Sequence, residues 1–114
     1  MSNSILNDIK KPLGLDPDYH VFDPDIIMHI NTVILELREL GVGNNDFNIT
    51  GETETWEDYL GEDEARLAVV KTFIFLSVKI LFDPPSNASL YGKYTETLEE
   101  YKSRILYDVD PRYE

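Results

Sequence analysis

The chain of 114 residues contains no cysteine. That excludes a disulfide framework, a thiolate zinc site and a cysteine nucleophile, and it leaves the redox compartment unreadable. Basic residues are also scarce: ten Lys and Arg stand against 22 Asp and Glu, for a net charge of −12. They gather into no stripe, which argues against ordinary phosphate-backbone binding. The longest strongly apolar run, Leu67 to Phe82, is interrupted by Lys71 and Lys79 and is shorter than the roughly 20 residues a spanning helix needs. The opening MSNSILNDIKKPLG lacks a basic segment followed by an apolar one. The expectation is a soluble, intracellular chain with no membrane partner.

Histidine is nearly absent too. His20 and His29 have no companion at metal-ligand spacing, and His29 reads as a helix-face residue. No G-x-S-x-G, Walker or G-x-G-x-x-G motif occurs. Glu52, Glu54, Glu57 and Asp58 crowd one segment, but they lack the EF-hand pattern and any strand framework to fix two carboxyls for glycoside chemistry. Solvated loop charge is the better reading. The chain is expected to have no enzymatic activity, no metal and no cofactor.

What remains is helical periodicity. Residues 4–13 place Ile5, Leu6, Ile9 and Leu13 on one side of a short helix, with Pro12 disturbing its last turn. A second helix is bounded by Asp23 as N-cap, Pro24 as first helical residue and Gly41 as stop, and carries Ile26, Ile30, Val33, Leu37 and Leu40. A third, from about Glu62 to Phe82, is apolar on most of its circumference and ends at Asp83-Pro84-Pro85. Such a helix is central in its domain or covered by a neighbouring subunit. A fourth runs from Ser86 or Asn87 to about Tyr107, with Leu90, Tyr91, Tyr94, Leu98, Tyr101 and Ile105 recurring at helical spacing.

The expected fold is therefore all-α: a small antiparallel bundle of three main helices and a short N-terminal one. Residues 1–106 form the domain, and residues 107–114 form an extended tail. Ile30, Val33, Leu37, Val70, Phe73, Ile74, Leu98 and Tyr101 are the expected core. At this size oligomerisation is a natural source of added stability.

One long excursion, Val42 to Gly61, departs from the bundle. Phe47 to Gly51 reads as a short strand or extended loop, and Thr53 or Thr55 caps a single helical turn from Trp56 to Leu60. From Glu39 to Ala65 there are nine acidic residues and not one Lys or Arg. This acidity is either a solubilising surface or a surface that repels DNA, and composition does not choose between them. Trp56 and Tyr59 need a surface to cover their rings, either the bundle or an adjacent subunit. Tyr107, Val109, Pro111 and Tyr113 have no apparent home within the domain, which favours a docking role.

The phrase from Thr50 to Gly61, TGETETWEDYLG, resembles the loop of the small head–tail connector proteins of tailed phages and prophages of Gram-positive bacteria. So does Val70 to Ser86, VKTFIFLSVKILFDPPS. The opening is similar as well, through Ile5 to Lys11 and Phe22 to Asn31. The resemblance runs in order over nearly the whole chain. It implies a virion adaptor that assembles as a twelvefold ring beneath the portal vertex, after assembly in the host cytoplasm. The ring would extend the DNA channel and offer a platform to a stopper or tail-completion protein. DNA would be passing cargo, with no sequence-specific binding. By the same resemblance the C-terminal segment, here Tyr107, Val109, Pro111 and Tyr113, would reach the portal or a neighbouring copy. Its shortness favours the portal's outer surface over deep insertion. Trp56, Tyr59, Glu52, Glu54, Glu57 and Asp58 would meet a neighbour or the downstream partner. A competing reading is an acidic DNA mimic that inhibits a host enzyme, which would be a compact monomer or dimer with phosphate-like spacing of acids.

Overall fold

The computed structural model describes residues 4–43, 46–62 and 64–109. Five α-helices lie among them: α1 (Ile5–Lys10), α2 (Asp23–Glu39), α3 (Trp56–Leu60), α4 (Glu64–Phe82) and α5 (Ala88–Val109). No β-strand occurs among the described residues, and the stretch after Phe47 is extended chain. One isolated bridge joins Ser4 to Thr55.

The helix ends follow from local chemistry. Ser4 caps α1, its hydroxyl accepting from the Asn7 amide at 3.2 Å. α2 stops in a Schellman motif: the Gly41 amide donates to Arg38 O and the Val42 amide to Leu37 O. Gly41 takes φ of 96°, where a side chain would be strained, and Val42 beyond it is fully buried. The Asn87 side chain accepts from the Leu90 amide at 3.1 Å at the start of α5.

Two boundaries differ from the sequence-based expectation. Asp23 is not an N-cap: α2 begins at Asp23 itself, Phe22 holds the cap position, and no side chain caps it. The Asp23 carboxylate is drawn off to Lys10 Nζ and His20 Nδ1, each at 2.8 Å. α5 also continues to Val109 rather than ending near Tyr107. The expected tail thus begins as helix, and residues 110–114 lie outside the described residues.

α4 is the central element, with α2 on one side and α5 on the other; α1 packs on α2, and α3 against α4. Ile30, Val33, Leu37, Val70, Phe73 and Ile74 are buried together, and Leu98 and Tyr101 pack against that cluster from α5. α1 brings Ile5, Leu6 and Ile9, and the loop brings Val42, Ile49, Trp56 and Tyr59. Burial at roughly 25 cal/mol per Å² of apolar surface is the main stabilising term for such a core.

Candidate functional site

The excursion between α2 and α4 is held from several sides. Asn31, on α2, makes a two-way contact with Ile49: its amide donates to Ile49 O at 2.9 Å and its carbonyl accepts from the Ile49 amide at 2.8 Å. Phe47 stacks on Tyr59 with ring centroids 4.9 Å apart. Gly43 passes so close to that ring that a Cβ would lie 2.5 Å from Tyr59 Cε1. Tyr59 is enclosed, its hydroxyl is buried with no hydrogen-bond partner among the described residues, and burial drives its pKa up against the opposing charge of Arg38.

Trp56 sits where α1, α3 and α4 meet. Its Nε1 donates to Asp8 Oδ2 at 2.8 Å, and Lys71 Nζ lies 3.0 Å from the same oxygen. Lys71 also stands 5.5 Å from the centre of the indole ring, within cation–π range. One carboxylate therefore ties an indole and an ammonium from two other helices to α1. Ile5 N donates to Glu54 O at 3.0 Å beside the bridge between Ser4 and Thr55.

The four loop acids divide by role. Glu54 folds back on its own turn, accepting from Thr50 N at 2.9 Å, Thr50 Oγ1 at 2.7 Å and Gly51 N at 3.3 Å. Desolvation is the largest single influence on its carboxyl and raises its pKa, but the hydrogen bonds from Thr50, its own backbone amide and Gly51 together outweigh it, so the net shift is downward. Asp58 completes a capping box: its amide donates to Thr55 Oγ1 at 3.1 Å, and its carboxylate accepts from the Thr55 amide at 3.0 Å. Glu52 and Glu57 are exposed. Glu54 and Asp58 thus serve the fold of the loop.

Of the tail residues, Tyr107 stands half-exposed on the last turns of α5, and Val109 is the final residue of that helix. Pro111 and Tyr113 lie outside the described residues. Tyr107 thus stands at the far end of α5 from its start at Ala88.

A group that sequence reasoning missed is Lys10. It has no solvent exposure, and its Nζ donates to Tyr19 O at 2.7 Å and Pro17 O at 3.3 Å besides pairing with Asp23. The neighbouring Lys11 is exposed, so residue type alone gave no signal. This ammonium clasps the turn between α1 and α2. Among the described residues, no group of three His, Asp or Glu side chains is placed to hold a metal ion, and no helix is long and apolar enough to cross a membrane.

The described residues form an architecture of clasped helices with apolar surface left over. No curated protein and no solved structure matches the chain. A family profile does: that of the phage connector proteins matches residues 5–112, nearly the full length. The chain belongs to the phage connector protein family, structural components of the virion at the head–tail connection that assemble with other phage head and tail proteins.

Proposed function

We propose that the chain is an adaptor that forms a twelvefold ring under the portal vertex, extends the DNA channel and presents a platform for the stopper or tail-completion protein. The observation that carries this reading is the surface of α4 and α5. α4 is apolar almost all round, yet α2 and α5 leave Leu67, Val69, Phe75 and Ile80 only half-buried. Along α5, Tyr94, Leu98 and Tyr101 are likewise half-buried. A single copy leaves this apolar area wet, and side-by-side packing of copies in a ring covers it. Tyr107 and the residues after it supply the portal contact, where aromatic anchors carry a large share of interface energy, roughly 2 kcal/mol or more when fully desolvated. Trp56 and Tyr59 act by fixing the loop against its own bundle, and Glu52 and Glu57 set the charge that a neighbour, the downstream partner or passing DNA meets. Screening confines that influence to about 8 Å at physiological salt.

The test is in vitro completion of DNA-filled heads that carry portal but lack connector. Full-length chain should join them in twelve copies per vertex, measured by particle mass and cryo-microscopy. A chain truncated after Leu106 should keep its helical spectrum and fail to join. Unchanged docking of the truncated chain refutes the role of the tail, and failure of the full-length chain to join refutes the adaptor reading.

A further inference from the structure

The end of the bundle opposite Tyr107 has an unusual surface. Of the nine large apolar side chains that stand exposed among the described residues, six lie there: Tyr19, Val21, Phe22, Leu81, Leu90 and Tyr91. The topology gathers them. Phe22, at the start of α2, meets Phe82, at the end of α4, edge-on at 5.3 Å, and Tyr19 meets Phe22 at 5.9 Å. The short connection after Phe82 sets the start of α5, with Leu90 and Tyr91, at the same end. Tyr91 and Tyr107 are sixteen residues apart on one helix, roughly 24 Å at 1.5 Å per residue.

The charge at this end is mostly acidic. Asp16, Asp18, Asp25 and Asp83 are exposed on it. Of the nearby cations, Lys10 is buried on Asp23 and Lys79 pairs with Asp83 at 2.8 Å, while Lys11 and Lys93 stand exposed. An apolar surface bordered by carboxylates fits an apolar groove bordered by Lys and Arg. A second copy of this chain is a poor match, because it brings the same −12 charge and has Lys10, Lys71, Lys79 and Arg104 in ion pairs of its own. Its Lys11, at the end of α1, and Lys93 and Lys102, along α5, are spread over two different helices rather than gathered at one groove.

We infer that this apolar, acid-bordered end is a docking surface for a different protein of the particle, one presenting an apolar groove flanked by basic side chains. Resting on the adaptor reading, which gives the Tyr107 end to the head, the inference assigns this opposite end to the component that joins after the connector. The two contacts are then separate surfaces on one rigid bundle, and each can be damaged alone.

Val21 is 66% exposed and Tyr91 42%, so Val21→Glu and Tyr91→Glu add charge without opening the core. Each variant is mixed with connector-deficient heads, the completed heads are isolated, and purified tails of the same phage are added. Incorporation into heads should match wild type, while tail joining falls by about tenfold or more, since a charge is forced into an apolar contact. Asp16→Lys/Asp18→Lys, which changes no apolar side chain, should also lower joining, and that loss should shrink with added salt. Normal joining by both glutamate variants overturns the inference. So does a variant that fails to enter heads, or whose copy number per vertex falls while joining per copy is kept; those results give this end to the portal or to a second copy. If wild-type chain itself fails to enter heads, it is the adaptor reading that fails.

Discussion

Replacing Lys10 by Met removes the one fully buried cation of the described core while keeping most of its side-chain volume. In the wild type its ammonium meets the Asp23 carboxylate at 2.8 Å and two carbonyl oxygens, those of Tyr19 and Pro17. Breaking a buried pair by deleting one partner typically costs about 3–5 kcal/mol, because the remaining charge stays desolvated. Here the lower end applies. The Asp23 side chain keeps 14% exposure and its contact with His20, and Pro17 and Tyr19 are exposed enough for water to reach their carbonyls. A loss of about 3 kcal/mol in a domain of this size lowers Tm by about 12 °C. Thermal unfolding followed by circular dichroism at pH 7 and fixed protein concentration measures it. Desolvation, the largest influence on Asp23, raises its pKa, yet the hydrogen bonds and charges of Lys10 and His20 outweigh it, so the folded value lies below the ordinary 3.8. Asp23 therefore contributes stability above about pH 4 that disappears as pH falls through the folded pKa. The gap between wild type and Lys10→Met should narrow over the same range. Lys10→Met/Asp23→Leu, which removes both charges, should recover much of the loss. A loss under about 1 kcal/mol at pH 7, or a gap that widens in acid, refutes the clasp.

Tyr59→Phe should leave stability unchanged or raise it by up to about 1 kcal/mol in urea unfolding, because the lost hydroxyl is buried with no hydrogen-bond partner among the described residues; a loss above that size would reveal a partner. Gly43→Ala should destabilise by about 2 kcal/mol or more, since φ is +85° and the new methyl meets the Tyr59 ring; calorimetry of the single variant and of Gly43→Ala/Tyr59→Leu separates backbone strain from the clash. Phe73→Ala should cost on the order of 3–5 kcal/mol, as it empties a buried position of α4 in the core, and a loss below about 1 kcal/mol would misplace the helix. Glu54→Gln should cost about 1–2 kcal/mol at pH 7 and progressively less below pH 4.5, because the folded carboxyl titrates below that ordinary value and its stabilisation is lost as it protonates.

The helices were readable because their signals are local. The stripe of α2, the Gly41 stop and the double proline after α4 each act within a few residues, and each appears where expected. The core residues of α2 and α4 followed from the same periodicity. Asp23 shows where local reading fails. Followed by Pro24 it has every feature of an N-cap, but a buried ammonium thirteen residues earlier binds its carboxylate more strongly than a backbone amide would. The loop acids fail the same way: Glu54 and Asp58 look like their neighbours Glu52 and Glu57, and only the turn geometry makes two of them structural. That Trp56 needs cover was legible from its setting in a polar loop. That Asp8 and Lys71 would provide it was not, since nothing in sequence links positions 48 residues apart.

The clasp on Trp56 also bears on how the chain is made. α1 leaves the ribosome well before its partners Thr55, Trp56 and Lys71 are synthesised. At about 5–20 residues per second the N-terminal segment waits several seconds for them. A six-residue helix is too short to persist alone in water during that wait. α4 and α5, joined by a short turn, have the local contacts that form quickly. The clasp of Asp8 on Trp56 and Lys71 is therefore a late contact, formed after the local ones, and Trp56 emission during refolding reports that closing step.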